Sequence, residues 1–525
     1  MFFRRNSNDF LQVKCTHVFP LFGHTSEKGG CEMEKHAAEQ DDLALNVGGL
    51  RRRALEAGEM DRLFCGDGDL CRRALCVCGL DCVLFFLDGL TSGGDIAETV
   101  LKPLRALGGA ASTAFGKPNG MTAPGASEET ASAALQAEIL SGAVYCAVAE
   151  ACDDVDTAAS KLLNGFCVLC LPGGRGVAFE VKTGEKRGPS EPEVESTTRG
   201  PKDAFAETSR TNTGLVRRHL RSTRLRVFET SAGGETHTNI SMLWVDGAAD
   251  PSVVRRVKAR LEDAPARELL TPAAVETWLT GHRGTPFPLV QYTERTDKFA
   301  SGLLTGRVGV FADGLPVGYL LPVNLGMLLQ AAEDRDTDPL STHFLRLLRL
   351  AAAALALLLP GLYVAMATFH QEMLPTLLLD AIIESKRSVP FPTVLEVLGL
   401  LLAFELLQEA GLSAPKAVSQ PVSIIGGLVV GTAAVEANLI SPAALIVVSA
   451  AGICGFALPG KSLVDAVRLC RLGLTVCAAL AGLWGLTYGI LTLLVFLSRL
   501  DSFGCAWLAP FSGPDGTANR RDGPR

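Results

Sequence analysis

Hydrophobic and polar positions change their rhythm near residue 344. Before it, apolar stretches are short and punctuated by Gly, Asp, Asn and Pro, the pattern of buried strands and amphipathic helices joined by turns. Asp81 to Leu104 predicts a buried strand over Cys82 to Leu87, a turn at Asp88-Gly89, and a helix from about Asp95. Ser241 to Leu261 repeats that order, with a strand over Ser241 to Val245, Asp246-Gly247, and a helix from Pro251. Each half then ends in helices and a hairpin. Phe166 to Val181 turns at Gly173-Gly174, and Arg307 to Pro322 at Asp313-Gly314, a strong two-residue turn signal. The expected fold class is an α+β cytoplasmic region of two related subdomains, followed by an all-α polytopic membrane domain.

After residue 344 the apolar runs lengthen, and roughly 20 apolar residues suffice for a helix to cross a bilayer core. Four uncharged runs reach or approach that length: Leu350 to Phe369, Ala417 to Val435, Ala437 to Pro459 and Leu472 to Ser498. Pro421 and Pro442 fit first-turn positions behind the capping candidates Ser419 and Ser441. A helix from Pro421 to Val435 is then short for a span, about 22 Å against roughly 30 Å. Gly427 to Gly431 and Gly485 to Gly489 have the spacing that lets helices approach closely. Val394 to Ala410 is apolar apart from Glu396, Glu405, Gln408 and Glu409. It reads either as an interfacial amphipathic helix or as a bundle-facing one whose carboxylates mark an ion route. Four spans put both termini on one side of the membrane; five do not.

These patterns predict a leader over 1–59 with alternative starts at Met33 and Met60, a first subdomain over 60–182 with an insertion at 108–129, and a second over 183–343. A helical membrane domain over 344–510 and a tail over 511–525 follow, and Thr183 to Glu195 reads as a polar loop. No cleavable signal peptide is visible at the start, so the front is expected in the cytoplasm.

Composition sharpens the division. The chain of 525 residues carries 49 Lys plus Arg against 56 Asp plus Glu, net -7, which argues against a nucleic-acid partner. Residues 344–525 hold only 12 basic and 11 acidic residues. Fifteen cysteines raise redox or metal chemistry, but Cys167 and Cys170 fall within a predicted strand and no Cys/His spacing completes a zinc set. Gly455 to Ser462 matches the phosphate-binding loop pattern at the end of an apolar helix, with Pro459 removing an amide, so no cofactor is expected. No nucleophile elbow or metalloprotease motif occurs, and no enzyme is expected. The stretch Glu195 to Arg218 is dense in charge and hydroxyls. Its Arg199, Glu207 and Arg210 read either as local ion pairs or as a partner- or anion-binding surface.

That stretch, with Glu195-Ser-Thr-Thr-Arg-Gly-Pro followed by Thr211-Asn-Thr-Gly-Leu-Val-Arg-Arg218, resembles the A subunits of spore germinant receptors, the GerA spore germination family. Similar motifs follow in order: Pro286 to Arg295, Gly306 to Gly314, Phe344 to Arg349, Leu359 to Val364, Thr368 to Met373, Val389 to Val394, Phe404 to Gly411, Val422 to Gly426, and Ala433 to Ala437 leading to Ser441-Pro442. The resemblance covers about residues 60 to 510. Gln371 and Leu377 stand where the family pattern has proline, and Thr432 where it has glutamine.

The resemblance implies a spore inner-membrane protein acting with a permease-like B subunit and a lipoprotein C subunit in response to nutrients. It also implies a homo-oligomer in membrane lipid, forming an ion-conducting component. Glu396, Glu405, Glu409 and Glu436 are the ion-pathway candidates; Arg199, Glu207, Arg210, Asn212 and Arg295 are the assembly or gating candidates. The alternatives are an accessory spore-membrane protein assisting dipicolinate release, or a secondary transporter with broken helices.

Overall fold

The computed structural model describes residues 54–107, 128–144, 146–182, 192, 195, 201–263, 269–281, 284–331, 334, 338–413 and 426–509. The expected leader before residue 54, most of the insertion, most of the 183–195 loop, the first part of the 417–435 run and the tail from 511 lie outside them.

The front half is one motif used twice. In the first copy, α1 (Ala57–Leu63) precedes β1 (Leu70–Val77) and β2 (Leu80–Leu87), and helices α2 (93–107) and α3 (128–143) lead to β3 (Ala149–Ala151). Then α4 (Val155–Leu163) returns the chain to the hairpin of β4 (Phe166–Leu171) and β5 (Arg175–Glu180). The second copy has α5 (Ser209–His219), β6 (Leu225–Ala232), β7 (Thr238–Val245), α6 (Pro251–Asp263), α7 (Pro272–Thr280) and β8 (Gln291–Thr293). It closes with α8 (Thr296–Leu304), β9 (Val308–Ala312) and β10 (Gly318–Leu321). The two antiparallel sheets have the same strand order, β1-β2-β4-β5-β3 and β6-β7-β9-β10-β8.

Local chemistry starts the helices where they are: Asp154 accepts from Thr157 N at 3.2 Å ahead of α4, and Thr271 accepts from Ala274 N ahead of Pro272 in α7. All of β4 is buried because both faces are covered, which is why it reads as an unbroken apolar run. Val168 and Cys170 face α4, whereas Cys167, Leu169 and Leu171 face α2 and α3. Cys167 and Cys170 therefore lie on opposite faces and form no pair; burial pushes each thiol up to about 12. The β9–β10 connection is longer than the expected two-residue turn, spanning 313–317. Asp313 is drawn away to cap α5, accepting from Ser209 N at 2.9 Å, while Gly314 N donates to Glu207 O.

The short α9 (Leu325–Leu328) leads to α10 (Pro339–Thr368), α11 (Thr376–Lys386), α12 (Thr393–Ser413), α13 (426–436) and α14 (Pro442–Phe456). Ser441 caps α14 with Pro442 at its first turn. Among the described residues, two helical segments are long and apolar enough to cross a membrane, Pro339–Thr368 and Lys461–Arg499. The second corrects the expectation of one continuous run from Leu472 to Ser498. It breaks at Ala481 and Gly482 (φ 61°, ψ -139°) into an antiparallel hairpin, α15 (461–480) and α16 (483–499). A Cβ on Gly482 would stand 2.9 Å from Phe369 Cβ, one on Gly485 would overlap the Cys477 carbonyl, and one on Gly489 would stand 2.7 Å from the Leu474 side chain. Only glycine allows that turn and that closeness of the arms. By contrast, nothing lies within 4 Å of a Cβ on Gly427 or Gly431.

The two ends of the hairpin meet in one core, where Leu463, Ala466, Leu497 and Leu500 pack with Phe287, Ala356 and Trp507. After α16, β11 (Asp501–Ser502) and β12 (Cys505–Ala506) strap the chain back onto the second sheet's half. Ser502 Oγ donates to Leu289 O at 2.7 Å and accepts from Val323 N at 3.1 Å; Trp507 Nε1 donates to Pro288 O at 2.9 Å.

Candidate functional site

Among the described residues, two of the places that gather charge at depth bear on the candidates read from the sequence. The first is the seam between the sheets, where α5 packs against the β2 turn. Gly89 and Gly214 touch backbone to backbone, since a Cβ on Gly214 would stand 2.5 Å from Gly89 O. Gly214 and Arg217 are three residues apart and share a helix face, so the same approach drives Arg217 into the seam. Arg217 is fully buried; its Nη2 donates to Asp69 Oδ1 at 2.7 Å and its Nε to Asp69 Oδ2, with Asp67 Oδ2 at 3.5 Å. Arg226 lies 3.6 Å from Asp67 and pairs with Asp246 at 2.8 Å. Burial pushes the Asp67 carboxyl up to about 6, with Arg217 pulling it down and Asp69 adding to the rise.

The sequence candidates sit around this seam. Arg210 reaches across it to Asp88 at 2.8 Å and Glu229 at 3.5 Å, not to Glu207 beside it in sequence. The Glu207 carbonyl accepts from Gly314 N. Asn212 is buried and pins its own approach loop, accepting from Ala206 N at 2.8 Å and donating to Ala206 O at 2.7 Å. Arg295 is buried and grips Asp297 with two bonds, 2.9 and 2.7 Å, while Phe205 N donates to Glu294 O. Arg199 lies outside the described residues. Asp67, Asp69 and Arg217 escape a sequence reading; the available signal is an arginine on the Gly214 face of α5 and the acid-glycine alternation Gly66-Asp67-Gly68-Asp69.

The second place is among the apolar helices. Glu396, buried at the start of α12, accepts from Ser441 N, with Lys386 Nζ at 4.0 Å. It thus ties the starts of α12 and α14. Glu405 accepts from Arg471 Nη2 at 2.7 Å and pairs with Arg468, which also bonds Asp465 at 3.0 Å. That joins α12 to the first arm of the hairpin in a network with as many acids as bases. Glu409 and Glu436 are exposed. The four carboxylates are not gathered at one point: about 13 Å of helix separates the first two. The Gly455 to Ser462 loop joins two helices, whereas a phosphate-binding loop follows a strand.

Duplicated α+β halves feeding a bundle of apolar helices define the architectural class. Residues 59–519 match the family described as Bacillus/Clostridium GerA spore germination protein. Among relatives, the chain is similar to Bacillus subtilis (strain 168) "Uncharacterized membrane protein YfkQ", 36% identical over 355 residues, 67% of this chain and 69% of that one. It is also similar to Spore germination protein A1 of the same strain, 35% identical over 352 residues, 67% of this chain and 73% of that one. A crystal structure of the N-terminal domain of the A subunit of the Bacillus megaterium spore germinant receptor GerK3 aligns with TM-score 0.37 and 22% identity, over 52% of this chain and 96% of that one. The chain belongs to the GerA spore germination family.

Proposed function

We propose that this chain is the A-type membrane subunit of a spore germinant receptor and helps trigger germination when nutrients are sensed. The observation that carries this reading is the family match across 59–519. In this reading the helical part is a polytopic domain in the spore inner membrane, and the sheets lie on the cytoplasmic side. The outer face of α16 supports lipid contact: Trp484 and Tyr488 are 81% and 71% exposed, with exposed Leu491 on the same helix. The chain works with a permease-like B subunit and a lipoprotein C subunit, as a homo-oligomer that conducts monovalent cations.

Glu396, Glu405, Glu409 and Glu436 are the proposed lining of that path. In this reading the exposed Glu409 and Glu436 meet ions directly, while Glu396 and Glu405 tie α12, which carries Glu409, to α14 and α15. Arg210, Glu207, Asn212 and Arg295, with Arg199, form the proposed gating platform at the sheets. The test is deletion in the spore-forming host. Spores lacking the chain should lose nutrient-triggered dipicolinate release to at least one nutrient and regain it on complementation; unchanged responses to every nutrient tried would overturn the reading.

A further inference from the structure

The first half reaches the second through a short loop, Gly66 to Asp69. Gly68 N donates to Val227 O at 2.8 Å and Asp67 Oδ1 accepts from Val227 N at 3.3 Å, which stitches the loop to β6. The two acids of the loop are held differently. Asp69 takes Nε and Nη2 of the Arg217 guanidinium together. Asp67 has only looser neighbours, Arg217 Nη2 at 3.5 Å and Arg226 Nη1 at 3.6 Å, and Arg226 is drawn off to Asp246 at 2.8 Å. Both carboxyls are nonetheless closed off from solvent. The charges on the elements around the loop have partners of their own. Glu229 of β6 and Asp88 of the β2 turn share Arg210, and His219 of α5 meets Thr296 Oγ1 at 3.0 Å and Asp203 at 3.7 Å. In α1, Glu59 pairs with Arg62, and Asp61 lies 3.5 Å from Arg72 of β1.

We propose that this seam is a pH-sensitive latch, closed while Asp67 carries a proton and loosened by its loss, when the Gly66 to Asp69 loop parts from β6 and α5 and admits water to the buried charges. A second carboxylate charge beside Asp69 leaves Arg217 shared between two acids away from solvent, and hydration relieves that cost. Burial acts in the same direction, pushing the Asp67 carboxyl from 3.8 up to about 6. The closed seam therefore binds the proton more tightly than an opened, hydrated loop. Closure has this support in full below about pH 4 and loses it as pH rises through 6. With 3.8 for the hydrated loop and about 6 for the closed one, opening becomes about fourfold more frequent at pH 7.5 than at pH 5.5. Because α5 and β6 belong to the half that continues into α10, the latch sets how firmly the first half is held on the half joined to the apolar helices. It concerns the sheets alone, and its failure leaves the receptor reading standing.

The test is amide hydrogen exchange of the full chain in detergent at pH 5.5 and 7.5, with each rate divided by that of the unstructured amide at the same pH. Gly68 and Val227 report the loop directly, since both amides donate in the bonds that opening breaks. They should be less protected than the amides of β4 and β9, and their protection should fall about fourfold from pH 5.5 to pH 7.5. Asp67→Asn keeps the shape of the protonated acid and an acceptor for Val227 N, so its protection should be the same at both pH values. The variant leaves His219 in place, so a response that belongs to that imidazole survives in it. Equal protection at both pH values in the parent chain overturns the proposal. So does a fall that persists in Asp67→Asn, and so do Gly68 and Val227 amides as protected as those of β4 and β9, which would mean that the seam opens only with the whole fold.

Discussion

Arg217 offers the sharpest perturbation of the fold. Replacing it by methionine keeps much of the volume but leaves Asp67 and Asp69 buried beside each other without their main counter-charge. Removing one partner of a buried pair costs about 3–5 kcal/mol, whereas replacing both partners by apolar groups can be near neutral. Arg217→Met should therefore cost about that much at pH 7.5, and Arg217→Met with Asp69→Leu should recover most of it. The pH dependence has a definite sign. Asp67 is raised from 3.8 to about 6 in the fold, so the folded state binds that proton more tightly than the unfolded chain. Its favourable contribution is complete below about pH 4 and is lost as pH rises through 6, worth at most about 3 kcal/mol. Without Arg217 the Asp67 carboxyl loses the charge that pulls it down and rises further, so the variant should lose less at pH 5 than at pH 7.5. Urea denaturation of the chain in detergent at both pH values measures this. A cost below about 1 kcal/mol at pH 7.5, or a larger cost at pH 5, would mean that Arg217 does not neutralise the buried carboxylates.

Three other outcomes follow from the packing. Gly482→Ala forces a side chain into a backbone shape that suits glycine and against Phe369, so it should destabilise by about 1–3 kcal/mol and lower Tm. Trp507→Ala empties a fully buried site and breaks the bond to Pro288, a loss of about 3–5 kcal/mol, and hydrogen exchange should rise at 287–289 and 323–325. In the folded chain a maleimide at pH 7.5 should label exposed Cys76 and Cys78 and spare Cys167 and Cys170, whose thiols burial holds near 12; equal labelling of all four would contradict that.

What the sequence carried well was local. The run over β4 and the glycines at 173 and 174 specify a hairpin because strand propensity and turn chemistry act over a few residues. The same holds for the Ser441-Pro442 helix start, where cap and first turn are adjacent. What stayed hidden depends on distant partners. Arg217 finds Asp69 across 148 residues, and Glu405 finds Arg471 across 66, so neither pairing has a local signature. The hairpin of α15 and α16 shows why an uninterrupted apolar run can mislead. Nothing polar marks Ala481-Gly482, and the break exists because Phe369 and the opposite arm occupy the space a straight helix would leave empty. Two of the four acids read as ion-path candidates prove to be engaged in joining helices, which composition alone does not distinguish from lining a path.

The most direct test of the receptor reading is the potassium current through planar bilayers holding the purified full chain, alone and with the proposed B and C partners, before and after nutrient is added. A cation-selective current is expected, one that nutrient increases in the complete assembly and that falls when Glu409→Gln and Glu436→Gln are combined in a chain of unchanged stability. A sealed bilayer under every condition would contradict it and place the conducting path in another subunit.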